Sequence, residues 1–493
     1  MTGQLLVKIK GFFTSEGLKA RVLRGGFWLG IGTGFEYGLR FLRNIILARI
    51  LAPEAFGLMA IILAINGALE AFTQIGVKEA VIQSPVGEER TYLNGAWWLS
   101  FTRAIGLFAI AMISVPWLAS FYDVSQYTVM FRVSFLTILF NGAMSAGTYI
   151  VQKRMDYKKW TIITSGGGAV GIILAIGLSL WLHNVWALVI GYVVEAAARC
   201  FLSFLVCPLL PRFQFKQEHS KALLDYARGM FGLPILFFIF TQADVFVVGK
   251  LLQKRDLGLY SMALSLAQMP MFLVSTILNP ILMPMFSEKQ HDKAWINRVL
   301  LKSTRIFVLA GTPVACFIAL YGKDILTVLY GSQYAAVALP FALMLAATIL
   351  RAAGTPIVNI YLALGQPRLQ RYFTGIRAAL MLLLIYPAVK YLGLTGAAGA
   401  GLLAMLISYI FQIVRFKELT DLDIRGYGFI FIQAVVVSLP ILLVWSVGHQ
   451  ALARPLHNVF LGLIGCITVY GLSAIIALQV KARMDARFAR RMP

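Results

Sequence analysis

Apolar runs of membrane length, separated by short polar breaks, fill this chain from about residue 22 to residue 480. A bilayer core asks for about 20 consecutive apolar residues per helix, so the pattern predicts spanning helices. Reading runs against breaks places them at 22–47, 54–82, 92–119, 128–151, 159–182, 185–207, 222–249, 257–286, 299–321, 335–364, 368–389, 394–415, 429–447 and 459–480. The connections are short and leave no soluble domain. The expected fold class is an all-α polytopic membrane protein of about fourteen transmembrane helices. Ahead of them, residues 1–21 ("LLVKIKGFF") predict a cytoplasmic amphipathic segment lying on the membrane surface. Lys8, Lys10, Lys19, Arg21 and Arg24 run into the first span without a small-residue cleavage site, so no cleavable signal peptide is expected.

The pattern also repeats. "ILAPEAFGLMA" (50–60) aligns with "LLQKRDLGLYS" (251–261) at an offset of 201, bringing Phe56-Gly57-Leu58 onto Leu257-Gly258-Leu259. Near an offset of 212, "YIVQKRMDYKKW" (149–160) meets "YLALGQPRLQRY" (361–372), each a helix exit into a basic turn followed by an aromatic residue. The expected organisation is two six-helix lobes in parallel pseudo-repeat, 22–212 and 213–420. A final helix pair with a basic cytoplasmic tail completes the chain at 421–493. Parallel repeats with substrate between them are a transporter arrangement.

Composition agrees. Hydrophobic residues make up 59% of the 493, charged residues only 13%, and mean hydropathy is +0.78. A soluble protein of this length could not hide so much apolar surface. The net charge of +23 changes the picture by giving orientation. With the amino terminus inside, inner segments hold about 27 Lys and Arg and outer loops about 7, the positive-inside pattern. Both termini are then cytoplasmic, and the basic surplus anchors the inner face beside anionic headgroups. No basic groove with interleaved aromatics appears, so a nucleic-acid partner is not expected. Cys200, Cys207, Cys316 and Cys466 lack metal or CxxC spacing and read as packing residues. No metal or cofactor is expected.

Charges inside the spans carry the candidate chemistry. Glu36, Arg40 and Arg43 share one face of the first helix with Thr33. The offset of 201 maps Arg40 onto Thr241 and Arg43 onto Asp244 in helix seven. Glu70 lies mid-span in helix two, Arg103 in helix three, and Glu195 with Arg199 in helix six. Arg351 lies in helix ten with Asn359 near its face, and Arg377 is central in helix eleven. At membrane level the arginines 40, 43, 103, 132, 199, 351 and 377 outnumber the acids 36, 70, 195 and 244 by three. Glu36–Arg40 and Glu195–Arg199 have the spacing of ordinary helix ion pairs, and Arg132 and Arg43 can snorkel to the outer interface. Arg103, Arg351 and Arg377 have no acid three or four residues away. Facing lipid, these three would cost on the order of 8–10 kcal/mol. They predict a cationic cavity between the lobes that also receives Arg40, Arg43, Arg199 and Asn359. Glu36, Glu70, Asp244 and Glu195 are candidate ion-coupling groups. Gly354 and Pro356, just behind Arg351, predict a hinge, since proline removes one helix hydrogen bond.

"LARILAPEAFGLMAIILAI", "GVKEAVIQ", "QADVFVVGKLL", "LGLYSMA", "ILRAAGTPI" and "LGLTGAAGAGLLA" resemble the polysaccharide transporter (Wzx-type) flippases of the multidrug/oligosaccharidyl-lipid/polysaccharide exporter superfamily. The likeness covers nearly the whole chain and is nearest the colanic-acid and exopolysaccharide exporter branch. It implies a V-shaped, two-lobed bundle in the bacterial inner membrane that moves an undecaprenyl-diphosphate-linked oligosaccharide to the outer leaflet. A coupling ion (proton or sodium) and the polysaccharide polymerase or export machinery are the further partners. Arginine suits the diphosphate because it binds phosphate oxygens bidentately. A drug/cation antiporter of the superfamily would line its cavity with acids and aromatics, against the arginine excess. A lipid II flippase shares the fold and a cationic cavity, and only the motifs weigh against it. A membrane glycosyltransferase or polymerase needs acids or histidines on a loop facing the sugar. Here the outer loops are short and His183, His219, His291, His449 and His457 scatter at helix ends. The reading is a transporter, not an enzyme.

Overall fold

The computed structural model describes residues 18–73, 76–214, 216, 218, 223, 233–288, 290, 292–448 and 455–468. Residues 1–17 of the predicted amphipathic segment, the start of the seventh predicted helix, the loop at His449 and the basic tail lie outside them, whereas residues 18–21 already belong to the first helix. Among the described residues every regular element is helical. The first half runs α1 (Leu18–Ile50), α2 (Pro53–Thr73), α3 (Val77–Gln83) and α4 (Arg90–Phe121), then a 3-10 turn at Ser125–Tyr127. It continues with α5 (Thr128–Ser134), α6 (Leu136–Ala143), α7 (Gly147–Lys153), α8 (Tyr157–Leu182) and α9 (Trp186–Val206). The second half holds α10 (Leu233–Leu251), α11 (Lys254–Glu288), α12 (Lys293–Leu320) and α13 (Gly322–Tyr330). A 3-10 turn at Ser332–Val337 leads to α14 (Ala338–Ala363), α15 (Pro367–Thr420), α16 (Ile424–Gly448) and α17 (Pro455–Thr468). Both α2 and α15 start on a proline, whose missing N–H is no loss at a first helical position.

Nine helices among the described residues are long and apolar enough to cross a membrane, ten if the pair bent by 63° at Ser125–Lys153 counts as one span. The expected count of about fourteen is not reached on this measure, for physical reasons. α1 carries Glu36, Arg40 and Arg43 and falls outside the nine. α15, at 54 residues, would be about 80 Å long if straight, more than twice the hydrocarbon thickness. It breaks at Gly393 (φ 58°, ψ −136°), where only glycine is at ease, and so supplies two of the predicted runs. The second predicted run also divides, into α2 and α3, with Gly76 left-handed between them (φ 60°).

Because lipid tails are as apolar as leucine, helix association here depends on close packing more than on water exclusion. In the first half α8 packs on α9 and α1, and α6 on α4 and α9. In the second, α15 packs on α10 and α14, and α14 on α11 and α12. The halves meet where α2 lies against α10 and α11. The largest buried cluster spans that meeting, from Leu47, Leu51 and Phe56 to Leu257, Tyr330 and Tyr334. Exposed apolar side chains such as Ile113, Ile173 and Leu383 face outward, as lipid contact requires.

Local structure repeats along with sequence. Ser125-Gln126-Tyr127 and Ser332-Gln333-Tyr334 both open 3-10 turns, at an offset of 207. Left-handed residues precede α8 and α15 at Met155 and Gly365, and recur at His183 and Gly393, both pairs 210 apart.

Candidate functional site

The α1 face converges on α9. Arg40 donates to Glu36 Oε1 from Nε (3.2 Å) and Nη2 (3.0 Å), and also pairs with Glu195. Arg199 Nη2 lies 2.8 Å from both Glu36 Oε1 and Glu195 Oε1. The sequence expected two separate i,i+4 pairs; the structure ties them into one network of two acids and two arginines. Glycines make room for it. A Cβ on Gly171 would overlap Glu195, and one on Gly167 would overlap Arg199, so α8 must be bare there. Glu195 is buried, while the Arg40 and Arg199 side chains keep about a quarter of their surface exposed.

That exposed quarter faces a cavity between the halves. Two adjoining spaces of about 320 and 270 Å³ share Arg40, Arg43, Asn44, Leu63, Ser261 and Ser265 as lining. Arg43 bonds only its neighbour, with Nη2 3.0 Å from Asn44 Oδ1, and makes no ion pair among the described residues. Since Arg40 and Arg199 are neutralised by their acids, Arg43 supplies the net positive charge on this wall. A third space, about 80 Å³, lies within the second half and adjoins the 320 Å³ space through Leu264 and Gln268. It is lined by Thr241, Asp244, Tyr260, Thr348 and Arg351. It is the smallest of the three spaces. Asp244 Oδ2 accepts from Tyr260 Oη at 2.7 Å, and Asp244 Oδ1 from the Val245 N–H at 2.9 Å.

Arg351 on α14 stands 5.5 Å from the Phe237 ring, and Arg377 on α15 stands 5.1 Å from the Phe240 ring. Both rings belong to α10, one turn apart, and neither arginine makes an ion pair among the described residues. Aromatic faces accept a desolvated cation without cancelling its charge. The charge of both stays uncompensated among the described residues, and of the two Arg351 lines a cavity. Arg103 is placed differently: Glu70 and Tyr149 are its electrostatic neighbours, and Asn141 Nδ2 donates to Glu70 Oε1 at 3.1 Å. Arg103 and Arg377 are not among the residues lining the three spaces.

Asn359 is buried and donates to the Thr355 carbonyl of its own helix at 3.0 Å, away from those spaces. α14 runs unbroken through Gly354 and Pro356, and a Cβ on Gly354 would stand 3.3 Å from the Tyr409 ring. Gly354 thus seats a neighbouring aromatic side chain. Sequence reasoning missed Phe237, Phe240, Tyr260 and Gln268. The first two had a signal, since Phe240 and Phe237 stand one and two turns ahead of Asp244 on a single helix.

A sequence-family profile described as "Polysaccharide biosynthesis protein" matches residues 46–339. Succinoglycan biosynthesis transport protein ExoT of Rhizobium meliloti (strain 1021) is 29% identical over 322 residues, 64% of this chain and 63% of ExoT. The match thus takes in somewhat under two thirds of that relative's length. Lipopolysaccharide biosynthesis protein WzxC of Escherichia coli (strain K12) is 20% identical over 439 residues, 87% of each chain. Among solved structures, lipid II flippase MurJ in an inward closed conformation superposes with a TM-score of 0.75 at 13% identity, covering 91% of this chain and 99% of MurJ. The shared fold is an all-α polytopic one. With the family profile matched over more than half its length, the chain belongs to the polysaccharide biosynthesis protein family.

Proposed function

We propose that this protein is a flippase of the bacterial inner membrane, moving an undecaprenyl-diphosphate-linked oligosaccharide repeat unit between leaflets by alternating access. The observation that carries the reading is the uneven compensation of charge. Arg40 and Arg199 have acids, whereas Arg43 lines the spaces between the halves and Arg351 the adjoining space in the second half, both without ion pairs among the described residues, and Arg377 stands over the Phe240 ring. A diphosphate brings the missing negative charge, and guanidinium forks match its oxygens. Family membership favours a polysaccharide precursor over lipid II, since the likeness to MurJ is one of fold. The basic asymmetry of the loops supports an orientation with both termini in the cytoplasm.

Arg351→Ala should abolish export while the protein remains in the membrane at near-normal abundance. Arg351→Lys should recover part of it, because an ammonium keeps the charge and loses the fork. Full export by an abundant Arg351→Ala protein would falsify the binding role.

A further inference from the structure

α2 and α11 begin at repeat-equivalent places and cross where each carries a glycine. A Cβ on Gly57 would overlap the Lys254 carbonyl oxygen and stand 3.1 Å from the Gly258 nitrogen. A Cβ on Gly258 would overlap the Pro53 carbonyl oxygen and stand 3.0 Å from the Gly57 nitrogen. The contact is therefore reciprocal, as two related halves meeting on a local two-fold would make it. Bare glycines let backbones approach this closely, and any side chain holds them apart.

Other contacts join the halves at the same end. Lys250 Nζ, from α10, donates to Asp123 Oδ2 at 3.1 Å and stands 5.1 Å from the Phe121 ring. Arg49, from the end of α1, donates to the Val328 carbonyl and, at 3.4 Å, to the Leu329 carbonyl of α13. Tyr122 is fully buried, with its ring 6.5 Å from that of Phe246. These contacts lie beyond the part of the cavity lined by Asn44, Ala60 and Ser261, at the end whose loops carry few basic residues.

We propose that the Gly57–Gly258 crossing is a gate: it shuts this end of the cavity, and it must part for a substrate to leave there. The proposal rests on the alternating-access reading, and it adds the residues that set the balance between conformations. A side chain at either glycine destabilises the closed arrangement alone and so shifts the population toward one open at this end. The Asp123–Lys250 pair is solvent-exposed, and such pairs contribute little, so the glycines dominate.

The test uses the full chain with its four cysteines replaced and Ser265→Cys placed in the cavity. Labelling by an impermeant maleimide is timed in right-side-out and inside-out vesicles. With both glycines present, labelling should be slow from the gate side and fast from the opposite side. Gly258→Ala or Gly57→Ala should raise the gate-side rate on the order of tenfold, and Asp123→Asn only on the order of twofold. A Gly258→Ala protein of normal abundance with the parental gate-side rate overturns the proposal. Should the alanine variants not accumulate, Arg49→Gln removes inter-half hydrogen bonds without adding volume at the crossing. It must raise the gate-side rate, and an unchanged rate overturns the proposal equally. Labelling needs no substrate, so its outcome is separate from that of the Arg351 export assay.

Discussion

Asp244 differs from the other membrane acids in what surrounds it. Glu36 and Glu195 are held by arginines, and Glu70 has Asn141 and the field of Arg103. Asp244 makes no ion pair among the described residues; Tyr260 donates to it, and Arg351 and Gln268 line the same small space. We infer that Asp244 is the coupling group. Asp244→Asn should then flatten the pH dependence of export without loss of membrane protein, and an unchanged profile in reconstituted vesicles removes that role. Glu195, in contrast, pairs with both Arg40 and Arg199. Glu195→Gln takes an anionic acceptor from two arginines at once, a loss of about 1–3 kcal/mol for buried partners. A thermal midpoint in detergent equal to that of the parent would show the network to be dispensable. These residues were legible in sequence as charges out of place, yet the network was not. Helical spacing links residues four apart on one helix, and nothing in it brings α1 and α9 together.

At the scale of the element, apolar runs located helices well and their breaks poorly. A hydropathy pattern registers greasiness, which persists across a tight turn made of apolar residues. The 54-residue α15 shows this in "YLGLTGAAGAG", where the helix breaks at Gly393 with hardly a polar residue to mark it. The turn is close as well as left-handed, for a Cβ on Gly396 would overlap the Ala388 carbonyl. Gly393→Ala should cost about 1–3 kcal/mol through its positive φ. It should appear as lower membrane abundance or a lower thermal midpoint. A Gly399→Ala control should leave both unchanged, since nothing lies within 4 Å of a Cβ there. Equal behaviour of the two variants would refute this account of the break.

For the whole molecule, orientation is the open quantity, and charge asymmetry gives it a sign. Cysteines introduced near Lys158, Glu218 and Lys293 should react with an impermeant reagent only from the cytoplasm, and those near Asp123, Lys254 and Ser332 only from the periplasm. An outward-accessible Lys158 loop would reverse the assignment. The fold supports treating the second group as one surface, because Asp123, Lys250 and Arg49 with the α13 carbonyls meet at a single end. Exposed Trp117, Trp181 and Tyr391 stand near the ends of α4, α8 and the first part of α15, where an aromatic belt would lie.

Composition and periodicity alone determined that this chain is helical and membrane-embedded, that its halves echo each other, and that it keeps more arginines than acids at membrane level. Those properties are local or additive: a run of apolar residues needs lipid whatever its neighbours are, and an excess of charge can be counted. Tertiary structure decided which arginines are left uncompensated. Arg40 and Arg199 found acids on another helix, Arg103 came beside Glu70, and Arg351 and Arg377 came to rest over the rings of α10. It also decided what the Gly57 and Gly258 echo is for. A missing Cβ has meaning only once another backbone occupies its place, and that placement belongs to the packed bundle.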